Sequence, residues 1–318
     1  MKVVFFGTPL FAANVIIYLL QNRVEILAVV TKPDRPQGRS RKPSHSAVKQ
    51  QLHKTYPDIP ILQPEKASTS TFVKTLTPFE ADLFVVVSYG EIISQELLDL
   101  PKYGCINLHP SLLPRYRGAA PIQSALLDGA KETGVTIIEM TSKMDAGDIL
   151  IQEKVPISEE MNYQELESEL CRVGSSSLLK VIQCYKNLTK VPQDHTQATY
   201  VQKIDPTMTQ IDWNHDAGNV HNQIRAFSPY PGAWCYIEIG GQQKRLKVYR
   251  SRVQNSIGRS PGEILSFTPQ GWCVACKRGA LLLLEVQLEG KKRLSIEEFY
   301  KGISSPIKMK SNYSDPFC

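Results

Sequence analysis

Asn107 and His109 stand two residues apart in the stretch Cys105 to Gly118, which reads CINLHPSLLPRYRG. In an extended strand, residues two apart face the same side. Pro110 and Pro114 follow, and proline does not continue a central strand. The spacing therefore predicts a polar pair presented where a buried strand runs out into a loop. Ligands bind at such strand ends in open α/β sheets. A third polar group, Asp145, lies in TSKMDAGDI, just after the strand-like run Gly134 to Met140. A carboxylate beside an imidazole can orient it and hold a proton near neutral pH. An Asn amide can donate to an oxyanion. Taken singly, His109 or Asp145 reads better as a capping group. Brought together from neighbouring strand ends, the three read as a centre suited to acyl transfer to an amine.

Other chemistries find less support. Ser88 and Ser111 lack a GxSxG context. Cys273 and Cys276 form one CxxC with no partner at zinc spacing, so packing is their expected role and no metal is expected. His215 and His221 are six apart and make no HExxH. Walker A is absent, and a single glycine after the first strand leaves no GxGxxG.

The elements that must position the trio follow a βαβ rhythm. Strands are predicted at Val3 to Phe6, Val24 to Val30, Asp82 to Ser88, Cys105 to His109, Gly134 to Met140 and Leu150 to Val155. Helices are predicted at Phe11 to Leu20, Ser46 to Tyr56, Ser70 to Leu76, Ile92 to Leu98 and Ala120 to Leu127. A long helix starts at the capping pair Asn162 and Glu165 and runs to about Tyr185. Alternation of this kind predicts an α/β fold with a Rossmann-like, mostly parallel sheet. Ser88-Tyr89-Gly90 reads as an extended strand end. The polar stretch 187–206 reads as a crossing. Asp216 is expected to cap a helix through Arg225, with Val220 and Ile224 on one face. Five short strands between Ala233 and Leu288, separated by glycine and proline turns, predict a small OB-like β-barrel. The expected division is a catalytic domain over 1–189, a linker over 190–206 and a basic barrel over 207–318.

The chain has 318 residues, 42% hydrophobic and 21% charged, as expected of an ordinary globular protein. No apolar run is long enough to span a membrane. The N-terminal MKVVFFGTP reads as a first strand, not a leader. Seven scattered cysteines form no disulfide framework, which predicts a cytoplasmic protein. From Thr207 onward there are 15 Lys and Arg against 9 Asp and Glu, whereas the first 206 residues have 22 of each. A basic third attached to a neutral remainder predicts an anionic macromolecular partner, RNA above all. Thr31 to Lys42, TKPDRPQGRSRK, reads as an exposed loop. Its Lys32, Arg35, Arg39, Arg41 and Lys42 could contact phosphates, unless Arg35 is simply tied to Asp34.

Asn107 to Gly118 resembles the matching stretch of the methionyl-tRNA formyltransferases, within the folate-dependent formyltransferases. Met144 to Asp148, Gly7-Thr8-Pro9, Pro33-Asp34-Arg35-Pro36, Gly38-Arg39 and Ser88-Tyr89-Gly90 fit the same family. So do Ile211-Asp212-Trp213, Arg225-Ala226-Phe227 and Pro231 to Trp234 in the second domain, and the likeness spans nearly the whole chain. Leu10, Ser124 and Tyr230 depart from its usual acidic, aromatic and Trp residues. The resemblance implies transfer of a formyl group from 10-formyltetrahydrofolate to the α-amino group of methionyl initiator tRNA. It implies Asn107, His109 and Asp145 as catalytic residues. Asn107 and His109 would stabilise the oxyanion, and Asp145 would orient His109 and help take the amine proton. Val87, Ser88, Tyr89, Gly90 and Ile92, with Ser111, Leu112, Leu113 and Pro114, would form the folate side. The basic loop, through Arg39 above all, and Arg225 and Lys247 of the barrel would bind tRNA. A monomer is expected. A formyl transferase acting on a sugar-nucleotide amine or a purine precursor, a folate deformylase and a catalytically silent RNA-binding protein are the alternatives.

Overall fold

The computed structural model describes residues 1–36, 43–255, 259–303 and 307–309. The chain forms two compact units. The first comprises Met1–Pro121, Glu132–Pro156 and Glu167–Val201; the second comprises Ile122–Lys131, Ile157–Leu166 and Gln202–Cys318.

The first unit holds a seven-stranded sheet. Its spatial order is Ile149–Pro156, Glu132–Glu139, Cys105–His109, Leu83–Val87, Lys2–Gly7, Glu25–Val30 and Ile61–Leu62. The last five of these run parallel, Glu132–Glu139 runs antiparallel to them, and Ile149–Pro156 pairs antiparallel to Glu132–Glu139 and so runs in the sense of the five. All five residues of the LFVVV strand are buried, as a strand covered on both faces requires. Helix Leu10–Gln21 buries Phe11, Val15, Ile16 and Leu19. Gly7 admits that helix, because a Cβ there would lie 2.6 Å from the Ala12 Cβ. On the long helix Tyr163–Cys184, Gly174 faces Leu108; a Cβ at Gly174 would come within 3.0 Å of both Leu108 methyls. Leu108 therefore packs on one face of its strand, and alternation turns Asn107 and His109 to the other.

The strand register corrects one expectation. Thr136 lies opposite His109, and Glu139 lies opposite Ile106. The Glu132–Glu139 strand is thus antiparallel and ends at the Cys105 side, away from His109. Asp145 is not at a neighbouring strand end. The loop after Glu139 has to turn back to bring it over Asn107.

Residues 110–118 are fastened from beneath. The Thr136 hydroxyl donates to the Ser111 carbonyl at 2.6 Å and accepts from the Leu113 N–H at 3.1 Å and the Gln152 amide at 2.9 Å. Residues 190–201 are built into the same unit rather than spanning open space. Val191 bridges to Ile149, and Tyr200–Val201 pairs in parallel with Arg117–Gly118.

The second unit is an antiparallel, nearly closed barrel-like sheet. Its order is Ile264–Thr268, Gly271–Ala275, Ala280–Leu288, Gln242–Gln254, Ala233–Ile239 and Ile307–Met309, with Arg293–Ser295 also on Ala280–Leu288. The Gln242–Gln254 strand extends well beyond the expected 245–249, and its register shifts between Val248 and Ser251 let it bend with the sheet. Trp213, Phe227 and Trp272 fill the core, with Val220 and Ile224 of helix Ala217–Ala226 facing it. Asp216 does not cap this helix; its carboxylate is taken by the Arg278 guanidinium.

Segments Ile122–Lys131 and Ile157–Leu166 join this unit and alter its charge. It holds 17 Lys and Arg against 14 Asp and Glu, a net of +3, which leaves +3 for the first unit. The asymmetry seen along the sequence is absent from the folded units.

Thr136→Val keeps the side-chain shape and removes the partner of the Leu113 N–H, of the Ser111 carbonyl and of one Gln152 N–H, while the Gln152 amide keeps its bond to the Leu113 carbonyl. It is expected to cost about 1–3 kcal/mol, read as a lower urea midpoint with an unchanged m-value.

Candidate active site

Asn107 and His109 come from one strand and Asp145 from the returning loop, and the three side chains meet. The Asn107 Nδ2 donates to Asp145 Oδ1 at 3.4 Å. The His109 Nδ1 lies 3.7 Å from Asp145 Oδ2, beyond hydrogen-bond range. The His109 Nε2 lies 2.9 Å from the Tyr116 carbonyl. A carbonyl only accepts, so Nε2 carries the proton and Nδ1 is the nitrogen facing the carboxylate. The bond that orients His109 is therefore the Tyr116 carbonyl, in place of the expected carboxylate. Tyr116 has a φ of +61°, and the left-handed backbone here turns its carbonyl onto the ring.

The carboxylate has a donor of its own. The Gly118 N–H donates to Asp145 Oδ2 at 2.8 Å. One short loop thus supplies both an acceptor for His109 and a donor for Asp145. A second layer holds that loop. The Tyr116 N–H donates to the Thr199 hydroxyl at 2.8 Å, and the Arg117 N–H donates to the Thr199 carbonyl at 2.8 Å. Arg117 and Gln193, both buried, lie under the Asp145 turn. Tyr116, Arg117, Thr136 and Gln193 carry no signal of their own in composition or periodicity. Arg117 sits inside the quoted PRYRG stretch, and Gln193 sits in the polar crossing.

The expected folate side falls into two groups. Val87 and Tyr89 are buried, whereas Ser88 and Gly90 are exposed and Ile92 is 81% exposed. Ser88 and Gly90 have φ of +47° and +81°, so this segment is a tight turn and not an extended strand end. The Tyr89 ring packs edge-on against Phe6, and its hydroxyl is buried with no partner. Burial first, and then Glu91, push that phenol above its usual range. The Lys32 Nζ stands over Gly90, 3.1 Å from where a Cβ would be. In the second group, the buried Ser111 hydroxyl donates to the Arg115 carbonyl at 2.7 Å. Leu113 is buried, the Pro114 carbonyl accepts from the Thr199 N–H, and Leu112 packs toward Gly134. These four residues hold the rim in shape.

Of the expected tRNA contacts, Arg39, Arg41 and Lys42 lie outside the described residues. Arg35 is exposed and pairs with Glu65, not with Asp34. Asp34 anchors the base of the loop. It accepts from Lys49 at 2.6 Å and from Gln63 at 2.9 Å, and it meets His45 at 2.8 Å. Burial pushes its carboxyl up, but these partners hold it down at about 2. Lys247 donates to the Pro231 carbonyl at 2.7 Å and keeps part of its surface. Arg225 is corrected. It is only 6% exposed, and its guanidinium bonds Asn222 and the carbonyls of Ser158 and Met161. A buried, committed guanidinium presents nothing to a phosphate; burial lowers its pKa from the usual range.

Among the described residues, no three His, Cys, Asp or Glu side chains are grouped to hold a metal, and no helix is long and apolar enough to cross a membrane.

A mixed sheet presenting an Asn, a His and an Asp together, followed by an antiparallel barrel-like unit, has clear counterparts. The family model described as formyl transferase matches residues 1–182, and that described as formyl transferase, C-terminal domain, matches 203–304. The class that fold and site define is thus that of the formyl transferases. Solved structures share the fold. WlaRD, a sugar 3N-formyl transferase, aligns with a TM-score of 0.64 and 20% identity over 92% of this chain and 99% of its own. HypX from Aquifex aeolicus, in complex with tetrahydrofolic acid, gives 0.63 and 17% over 95% of this chain and 48% of its own. Curated sequence relatives are much nearer. The methionyl-tRNA formyltransferase of Protochlamydia amoebophila is 50% identical over 96% of both chains. That of Acetivibrio thermocellus is 39% identical over 95% of this chain and 96% of its own. The chain belongs to the methionyl-tRNA formyltransferase family.

Asp34→Asn tests the loop anchor. The lowered pKa means that the folded state favours the charged carboxylate, a stabilisation that solvent screening keeps modest. It is fully present above the ordinary value of 3.8 and is lost as pH falls through about 2. The stability gap between wild type and variant in urea is expected to be largest at neutral pH and to close across that acid window.

Proposed function

We propose that the chain transfers the formyl group of 10-formyltetrahydrofolate to the α-amino group of methionyl initiator tRNA. The observation that carries this reading is the meeting of Asn107, His109 and Asp145 in a chain whose curated relatives match it almost end to end. The neutral amine attacks the formyl carbon, a C–N bond forms, and the carbonyl electron pair moves onto oxygen. The Asn107 amide has a second N–H to offer that oxyanion. His109, held through Nε2 by Tyr116, keeps Nδ1 beside Asp145, and this pair receives the amine proton. Collapse of the intermediate breaks the bond to the folate nitrogen, which takes the proton back from the His109–Asp145 pair and leaves as the N–H amine of tetrahydrofolate. No bond to the enzyme forms. Tetrahydrofolate is therefore a product and its formyl form a cosubstrate.

The exposed Ser88, Gly90 and Ile92 supply the donor wall, with the unpartnered Tyr89 hydroxyl behind it. Lys32, Arg35, Arg39, Arg41 and Lys42 supply the nucleic-acid contact of the first unit, and Lys247 that of the second. The catalytic residues all come from residues 1–189, the linker of 190–206 is fastened to the first unit as far as Val201, and the barrel of 207–318 binds the tRNA. One chain carries the whole Asn-His-Asp set, which supports a monomer. The six cysteines among the described residues are all unpaired, which fits work in the cytoplasm, where initiator tRNA is found.

With labelled 10-formyltetrahydrofolate, label is expected on methionyl initiator tRNA and not on elongator methionyl-tRNA. His109→Ala is expected to lower kcat by about 10²-fold or more with tRNA binding retained. Label carried to a sugar-nucleotide amine instead, or released as formate without an acceptor, would overturn the reading.

A further inference from the structure

We propose that Gln193 is a positioning residue for the transfer, clamping the turn that carries Asp145. The proposal rests on the reading of Asn107, His109 and Asp145 as the reacting centre. Gln193 lies between the two segments matched by the family models, which end at 182 and resume at 203. It is 6% exposed. Its Nε2 donates to the Asp145 carbonyl at 2.9 Å and to the Gly147 carbonyl at 2.7 Å. Its Oε1 accepts from the Arg117 guanidinium at 2.6 Å. A primary amide has two N–H donors and one oxygen, and here each has its partner. The reversed amide would set its oxygen against two carbonyls, so the orientation is unique.

The turn needs such a clamp. Asp145 has a φ of +49°, a conformation that a non-glycine residue keeps only when its surroundings hold it. Gly147 is wedged under the neighbouring strand, where a Cβ would lie 1.7 Å from the Glu139 carbonyl oxygen. Gln193 grips the backbone on both sides of Ala146, from behind. On the front, the carboxylate takes the Gly118 N–H at 2.8 Å and meets Asn107 at 3.4 Å.

Arg117 makes the clamp rigid. It is 2% exposed, and it bonds His195 Nδ1 at 2.9 Å and the Tyr200 hydroxyl at 3.2 Å besides Gln193. Its backbone belongs to the Arg117–Gly118 ribbon that supplies the Gly118 donor. One buried pair thus ties the back of the Asp145 turn to the loop that meets its front. Gln193 reaches no reacting atom. It acts through the Asp145 backbone, so its loss should slow the chemical step and leave substrate binding nearly intact.

The test compares Gln193→Glu and Gln193→Ala with wild type and His109→Ala in the full chain. Glutamate keeps the size and the Arg117 partner but sets an acceptor oxygen against the two carbonyls; it decides the matter alone if the alanine variant does not fold. A misplacement of about 1 Å lowers rate by about 10²-fold. Gln193→Glu should lower kcat by about 10- to 100-fold, with KM for 10-formyltetrahydrofolate and for methionyl-tRNA within about threefold of wild type. Amide exchange should quicken across 144–148 and at Gly118, with exchange in the barrel unchanged. Gln193→Asn, which keeps an amide on a shorter arm, should recover part of kcat. Loss of His109→Ala activity with a wild-type kcat in Gln193→Glu would overturn this proposal alone; a fully active His109→Ala would overturn the reading of the centre beneath it. A fall in kcat that only tracks the folded fraction, with exchange quickened throughout, would make Gln193 merely structural and overturn the proposal.

Discussion

The antiparallel course of the Glu132–Glu139 strand is the constraint on which the site depends. It places the strand's end beside Cys105, so the carboxylate of Asp145 must be carried back over the sheet by a loop. The carboxylate side chain is 15% exposed, and a mostly buried charge needs donors. One hydrogen bond to a charged acceptor is worth about 1.5–3 kcal/mol. A non-glycine residue in a left-handed conformation costs about 1–3 kcal/mol. The Gly118 N–H bond and the strain at Asp145 are therefore of similar size. The front of the turn alone does not hold it, and the bonds to the Asp145 and Gly147 carbonyls from behind tip the balance.

The site is built largely from main chain. Tyr116 gives a carbonyl to His109, and Gly118 gives an N–H to Asp145. This explains the interior burial of Ser111 and Leu113. Their task is to fix the path of the loop through Thr136 and Arg115, so that two peptide groups point at two side chains. A main-chain acceptor also fixes the histidine tautomer without adding a charge.

The fold was largely legible in the sequence, because buried β-branched runs and helical spacing report locally on burial. Asp82 to Ser88, Ser70 to Leu76, the Asn162 and Glu165 capping pair and Ala280 to Leu288 all appear where pattern placed them. The trio was legible as residue types at a strand end. Strand direction was not, since apolar runs look alike in either sense. The Tyr116 carbonyl was not legible either, because every residue has one. Gln193 looked like linker for the same reason: a polar residue in a polar stretch shows its burial only once Tyr200–Val201 pairs with Arg117–Gly118. Asp216 had a cap's position, but Arg278 competed for its carboxylate and won.

Charge counted along the chain misleads for a related reason. The excess after Thr207 is halved, from +6 to +3, by Glu159, Glu160 and Glu165, which belong to the second unit by contact though not by order. Glu165 pairs with Arg250 and Glu160 with Arg252. Among the described residues, Arg259, Arg278, Arg293 and Lys301 likewise pair with acids. Exposed pairs of this kind add little stability, yet they weaken the far field that would draw in a polyanion. On the proposed reading, nucleic-acid recognition by this unit would work at short range. Arg245 stacks over Trp234 at 4.0 Å, and Trp234 meets Tyr236 edge-on, a cation-aromatic face whose pull falls off within a few ångströms. On the same reading, long-range attraction would fall to the stretch Thr31 to Lys42, where five of twelve residues are basic and one is acidic.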